Sequence, residues 1–136
     1  MTTEIDDRAP ADADAAQDEA HIDATHIAAQ NDAFRRALRP GAAPCPLAGR
    51  VVLTGGVAAR GPAFAVAALA AVATDTTFTS ANDPHGHHDF GAVEVGDVSI
   101  WWKIDLYDAD ERFGSERPDD PAVTVRVLTL LLPEEW

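Results

Sequence analysis

With 136 residues, 46% of them hydrophobic, the chain has the length and composition of one globular domain with a modest core. Its net charge of −13 argues against direct nucleic-acid binding, which depends on Lys and Arg, and is compatible with a basic protein partner or with a simple solubility role. A single cysteine excludes an internal disulfide, and the lack of a signal peptide or long apolar run predicts a cytoplasmic protein without membrane association.

The charge is unevenly distributed along the chain. Residues 1–33 carry nine acidic side chains and one basic side chain, whereas residues 34–81 carry one acidic residue and five arginines. Residues 82–136 carry thirteen acidic and four basic side chains. Because residues 1–21 offer little to bury, they are predicted to form a disordered acidic tail, followed by a single α+β domain at 22–136.

The first predicted helix starts at Asp23. Ile27, Phe34 and Leu38 fall on one face at helical spacing, and the Pro-Gly pair at 40–41 ends the helix. Several arginines lie in or beside its last turn, where cations complement the helix dipole.

A strand and a second helix follow. Residues 50–54 read Arg-Val-Val-Leu-Thr, which predicts a short strand ending at two glycines. Pro62 suits the first turn of a helix that reaches about Ala73 and is apolar on nearly all sides, as in buried helices. The glycine-rich connection between them lacks the Lys and Ser or Thr of a phosphate-binding loop and is interpreted as a turn.

Residues 82–91 are the most distinctive part of the chain. They read Asn-Asp-Pro-His-Gly-His-His-Asp-Phe-Gly and hold three of the five histidines. Asp, Pro and Gly at 83, 84 and 86 are typical of a type I turn. His and Asp side chains bind divalent metals when three or four converge, but neighbours on an extended strand point in alternating directions. No metal ligand is therefore assigned, and the cofactor is left open.

A β-hairpin is the best-defined predicted element. The Gly-Asp pair at 96–97 favours a two-residue type II′ turn, which sets Phe90 opposite Lys103. If the ladder continues without a bulge, His88 lies opposite Asp105. Alternation then gives a core face and an opposite face. The core face comprises Val93, Val95, Val98, Ile100, Trp102, Ile104 and Leu106; the opposite face comprises Glu94, Ser99, Trp101, Lys103, Asp105 and Tyr107.

The apolar sequence of residues 123–132 predicts a long strand. This strand is predicted to be central in the sheet, because both of its faces are apolar over its second half. The elements together predict the α+β class, with an antiparallel sheet of four to five strands and two helices packed on it.

The candidate site residues come from the histidine run and the hairpin. An acid–base enzyme would use His85, His88 and Asp105 as catalytic residues, because an imidazole oriented by a carboxylate suits proton transfer near neutral pH. Trp101, on the non-core face, is either a contact residue for a partner or part of a second packed layer. The candidate binding residues are Asn82, Asp83, Asp89, Trp101, Lys103 and Tyr107.

The chain also resembles a family of small, mostly alphaproteobacterial proteins that is classed as a domain of unknown function. The resemblance covers about four fifths of the chain and rests on residues 31–36, 49–54, 82–91, 102–108 and 126–135. The family pattern Asn-Asp-Pro-His-Gly-x-His-Asp-Phe-Gly has His87 at its variable position, which implies that His87 is dispensable. The motif Trp-Lys-Ile-Asp-x-Tyr-Asp begins at Trp102. The resemblance implies no activity.

Two functional hypotheses remain open at this point. The favoured one is a small acidic binding or regulatory protein that engages a protein partner, either a basic nucleic-acid-handling protein or a component of host defence. The alternative is a small enzyme, metal-assisted or using His/Asp acid–base chemistry, built on residues 82–91 and Asp105. The first is preferred because no activated nucleophile, phosphate loop or complete metal set can be assembled. Whether the protein is an enzyme, and its oligomeric state, are left open.

Overall fold

The structure is a computed structural model that describes residues 23–136. The predicted disordered tail at 1–21 lies outside these residues. The elements in chain order are α1 (Ala24–Arg36), β1 (Gly49–Leu53), α2 (Gly55–Ala58), α3 (Pro62–Ala73), β2 (Phe90–Val95), β3 (Val98–Tyr107), β4 (Val125–Leu131) and a 3₁₀ turn (Pro133–Glu135).

Helix α1 begins where the sequence predicts it. Asp23 is the N-cap residue, and its carboxylate accepts hydrogen bonds from the backbone N–H groups of Thr25 and His26, two donors that the helix cannot satisfy itself. Ile27 and Phe34 are buried on the predicted apolar face. Helix α3 also matches its prediction, whereas the glycine turn before it forms the single helical turn α2.

The four strands form one sheet in the order β1-β4-β3-β2. The α+β class is confirmed, and so is the central position of β4. The sheet is mixed rather than wholly antiparallel, because β1 runs parallel to β4. Four elements, two helices and two strands, separate β1 from β4 in sequence. A connection of that length allows two neighbouring strands to run parallel, whereas a tight hairpin does not.

The β2–β3 hairpin has the predicted register. Phe90 pairs with Lys103 and Val93 with Ile100, across a turn in which Gly96 has a φ of 65°. A positive φ at this position is what a type II′ turn requires, and glycine adopts it without a steric cost. The ladder ends at Phe90 and does not extend to His88.

The core lies between the helices and one face of the sheet. Ile100, Trp102 and Ile104 from β3 are buried there with Leu128 and Leu130 from β4, as the alternation predicts. All three α-helices contribute to this cluster, through Phe34 (α1), Val57 (α2) and Ala68 and Val72 (α3). Within residues 23–136, no helix has the length and hydropathy needed to cross a bilayer.

Candidate functional site

Asp83 organises the histidine loop (residues 82–89). Its Oδ1 accepts hydrogen bonds from the backbone N–H groups of His87 and His88, at 3.0 and 3.1 Å. Its own carbonyl accepts from the N–H of Gly86 at 3.1 Å, which closes the predicted turn. Asp83 is only 8% exposed, so this predicted binding residue has its carboxylate committed to the shape of its own loop.

Asn82 has the same local role. Its side-chain oxygen accepts from the N–H of Thr79 at 2.8 Å, and its amide donates to the carbonyl of Thr77 at 2.8 Å. The Asn82 side chain therefore links the histidine loop to the segment that follows α3.

His88 points away from the hairpin and into a pocket of polar and aromatic groups. Its φ of 53° lies in the left-handed region, which costs a non-glycine residue on the order of 1 kcal/mol. Its Nδ1 lies 3.0 Å from both carboxylate oxygens of Asp32, and its ring stacks on Phe78 at 3.9 Å between centroids. The second nitrogen, Nε2, lies 3.8 Å from Asp83 Oδ2.

The expected pairing of His88 with Asp105 is wrong. Asp105 Oδ2 lies 2.8 Å from the Lys103 ammonium, on the side of the sheet away from the helices. The left-handed backbone at His88 turns its side chain towards α1, so the strand alternation cannot be extended past Phe90. His88 and Asp105 consequently belong to opposite sides of the sheet.

The remaining members of the loop lie nearer the surface. His85 is exposed, with its ring 5.8 Å from that of His87, and His87 Nδ1 lies 3.9 Å from Asp89 Oδ2. Partial burial raises the pKa of Asp89, and the nearby His87 counteracts part of that rise. Across residues 23–136, no three His, Cys, Asp or Glu side chains are grouped so that they could hold a metal ion.

Arg35 on α1 completes the surroundings of His88, and it was not among the candidate site residues predicted from the sequence. Its Nη2 donates to Asp32 at 2.8 Å, and its Nη1 donates to the carbonyls of Val72 and Asp75 at 2.6 and 2.9 Å. The guanidinium lies 4.6 Å from the ring centroid of Trp102. Arg35 therefore joins α1, the end of α3 and the sheet at one buried point.

Asn31 links the loop to a second buried arginine. Its amide donates to the carbonyl of His87 at 3.0 Å, and its oxygen accepts from Arg126 Nε at 2.9 Å. Arg126 also donates to Gln30 Oε1 at 2.6 Å. Burial lowers the pKa of Arg126, and the side chain has no exposed surface.

The sequence carried only a weak signal for these α1 residues. Asn31, Asp32 and Arg35 flank the apolar stripe that contains Phe34, where polar side chains usually face solvent. Two hints were available. Residues 31–36 are one of the stretches on which the family resemblance rests, and the i, i+3 spacing of Asp32 and Arg35 allows an ion pair on a helix. Their burial depends on where the histidine loop folds.

A cleft of about 460 Å³ opens beside His88. It lies between the end of α1 and the segment after α3. The residues that line it are Asp32, Arg35, Arg36, Arg39, Ala73, Thr74, Asp75, Thr76, Phe78 and His88. It is within the size range of small-molecule sites, roughly 300 to 1,000 Å³.

The opposite side of the sheet, here called the open face, carries the remaining predicted residues. Trp101 is half-buried and contacts Phe90 and Trp136 edge-to-face, with ring centroids 5.7 Å away from each. Trp136 is 68% exposed. Lys103 forms its ion pair with Asp105 on the same face, and Tyr107 follows two residues further along β3.

Comparisons with known proteins give one match. The family model described as "Protein of unknown function (DUF3768)" matches residues 53–135. This segment contains the histidine loop, the hairpin and β4, but not α1, which supplies Asp32 and Arg35. No curated protein sequence and no solved structure matches the chain.

Proposed function

Because this chain belongs to the DUF3768 family of proteins of unknown function, we propose its function from its own surface: it binds a basic protein partner through the open face. The observation that carries this proposal is the aromatic group of Phe90, Trp101 and Trp136 on the side of the sheet away from the three α-helices. Aromatic side chains of this kind contribute most of the binding energy at many protein interfaces.

The geometry of the aromatic group supports a contact surface. The three rings meet pairwise edge-to-face with centroids 5.5 to 5.7 Å apart, an arrangement that fixes their orientation before a partner arrives. Trp136 leaves 68% of its surface in solvent. A partner that covers this ring gains apolar burial and loses little side-chain freedom.

The charge of the chain indicates the class of partner. The net charge is −13. Exposed acidic side chains include Glu94 on β2, Asp97 in the hairpin turn and Glu134 two residues before Trp136. Such a field accelerates association with a basic surface and disfavours nucleic acid itself. We therefore propose that the partner is a cytoplasmic nucleic-acid-handling protein with a basic surface. A component of host defence fits the same proposal if its surface is basic.

The test is affinity capture with a paired variant. The double variant Trp101→Ala/Trp136→Ala removes two aromatic rings from the open face, and Phe113→Ala removes a 71% exposed ring from the acidic loop between β3 and β4. We expect a basic protein to be captured by wild type and by Phe113→Ala but not by the double variant. With the purified partner, Kd should rise at least about tenfold in the double variant and should also rise with salt.

Two outcomes contradict this proposal. One is a folded double variant that binds the same partner with unchanged Kd. The other is a wild-type dimer in light scattering that the double variant converts to a monomer, since the open face is then occupied by a second copy of the chain.

The Asp32–His88 pair favours a second candidate function, acid–base chemistry. A carboxylate that contacts Nδ1 orients an imidazole for proton transfer at Nε2, and the His88 side chain is 30% exposed beside the cleft. In this version the catalytic residue is His88, and Asp32 takes the place that the sequence assigned to Asp105.

A substrate screen of the purified protein separates this candidate from the first. Turnover that is lost in His88→Gln and retained in His87→Gln supports it, because His87 lies in the same loop but outside the cleft. Equal turnover in both variants, or none in wild type, contradicts it.

A further inference from the structure

The cleft beside His88 has basic residues with no described partner, in a protein that is acidic overall. Arg36 and Arg39 both line it and both are exposed. Among residues 23–136, no salt bridge involves either of them. Arg36 is the last residue of α1, and Arg39 lies in the turn that follows, where its N–H donates to the Arg36 carbonyl at 3.3 Å. The two guanidinium groups can therefore approach the same anion.

The acidic side chains of the cleft are already engaged. Asp32 accepts from Arg35 and faces His88 Nδ1. Asp75 is buried, and its two oxygens accept from Trp102 Nε1 at 2.9 Å and from the Thr77 hydroxyl at 2.6 Å. Three arginines and two carboxylates line the cleft, so its net charge is positive.

The C-terminal end of α3 opposes an anion in the cleft less strongly than free carbonyl groups would. The last turn of α3 points carbonyl oxygens towards the cleft region, where they would repel negative charge. The carbonyl of Val72 accepts from Arg35, and those of Ala70 and Ala71 accept from the Thr74 hydroxyl. Hydrogen bonding thus neutralises part of the dipole.

The cleft also has an apolar wall. Phe78 stacks against the His88 ring and lines the cleft together with Ala73. A ligand with an aromatic body would bury surface against this wall while its charged group meets the arginines.

We propose that this cleft binds a small organic anion, with its phosphate or carboxylate group held by Arg36 and Arg39 and its apolar body against Phe78. This site is separate from the open face and goes beyond the proposed partner binding. Cleft size and the overall charge favour a small ligand over a nucleic acid.

The full chain is titrated by NMR with phenyl phosphate, benzoate and inorganic phosphate. We expect saturable shifts for the aromatic anions, with Kd on the order of 0.1 to 1 mM, and weaker binding of inorganic phosphate, which lacks the apolar body. Tighter binding of phenyl phosphate identifies a phosphate ligand; tighter binding of benzoate identifies a carboxylate ligand.

The matched variants are Arg36→Ala/Arg39→Ala and Arg60→Ala/Arg112→Ala, which remove the same charge from inside and outside the cleft. Kd should rise at least about tenfold in the first and stay unchanged in the second. The Trp101→Ala/Trp136→Ala variant should bind the anions with the same Kd as wild type, because neither tryptophan lines the cleft. A failure of the anion-binding proposal would therefore not count against partner binding through the open face.

The proposal is overturned if no probe saturates wild type, or if both arginine pairs weaken binding equally, which indicates a general charge effect. It is also overturned if a single-stranded oligonucleotide binds more tightly than the small anions and depends on Arg36 and Arg39. Unchanged circular dichroism and melting temperature show that the variants are folded.

Discussion

Asn31 is the residue at which the histidine loop and the interior of the protein are joined. Its side-chain N–H donates to the carbonyl of His87, and its side-chain oxygen accepts from Arg126 Nε. The side chain has no exposed surface. Arg126 Nη1 is already buried without a partner in the described part of the chain. Losing Asn31 would therefore leave a second donor of a buried cation unsatisfied.

Asn31→Ala should lower the free energy of unfolding by about 2 to 3 kcal/mol, because it leaves Arg126 Nε and the His87 carbonyl without their hydrogen-bond partner. Urea denaturation at neutral pH measures the change. Glu94→Ala, on an exposed position of β2, serves as the control and should change stability by less than about 0.5 kcal/mol. A loss of similar size in both variants contradicts the role given to Asn31.

Asp89 makes a prediction about pH. Burial raises its pKa above the ordinary value of 3.8, so the folded state holds this proton more tightly than the unfolded state does. The contribution of Asp89 to stability therefore falls as pH rises from 3.8 through the folded pKa, and above it the charged form carries a desolvation cost.

Asp89→Asn removes this titration. Relative to wild type, the variant should gain stability as pH rises from the ordinary carboxyl pKa towards neutrality, and the two should differ least at the acidic end. Paired urea denaturation curves across this range measure the difference. The prediction is contradicted if the stability difference between the variant and wild type is constant with pH or shrinks as pH rises.

At the scale of elements, β2 packs most tightly at Gly91, on the side of the sheet that faces the helices. A Cβ atom added there would lie 2.5 Å from Asp75 Oδ2 and 2.5 Å from Trp102 Nε1, the two atoms that form a buried hydrogen bond. Glycine is required at this point of β2 for space, since its φ is not positive.

Gly91→Ala should cost about 1 to 3 kcal/mol, because Trp102 or the segment that carries Asp75 must move to admit the methyl group. Gly55→Ala is the control: a Cβ there meets nothing within 4 Å, and the change should be near neutral. Denaturant unfolding gives the energies, and near-ultraviolet circular dichroism reports the Trp102 environment. An intact signal with unchanged stability in Gly91→Ala argues against the close contact.

At the scale of the whole molecule, the net charge of −13 is expected to affect the stability of the fold. Like charges repel one another more in the compact state than in the unfolded chain, and salt screens this repulsion within a Debye length of about 10 Å at 0.1 M. The acidic surface is thus expected to oppose folding at low ionic strength.

Raising NaCl from about 0.02 to 0.3 M should therefore raise the melting temperature. A neutral osmolyte at matched osmolarity controls for effects that do not depend on charge. A melting temperature that falls with salt would show that attractive ion pairs, such as Arg35–Asp32 and Arg117–Asp119, outweigh the repulsion.

The local pattern predicted much of the fold. Helix α1 with its Asp23 cap, the Gly96 turn, the hairpin register and the buried β3 residues all follow from rules that act over a few residues. The site was predicted less well. His88 was selected, but its partner was placed on β3, because a left-handed residue cannot be read from a strand pattern.

The sequence by itself determined the α+β class, the apolar faces and the acidic charge, since each depends on composition or on short-range periodicity. Only the tertiary structure decided that β1 runs parallel to β4, that Asp32 contacts His88, and that Arg35 joins α1 to the end of α3. These contacts join residues far apart in the chain, and no local preference specifies which distant groups meet when the helices pack on the sheet.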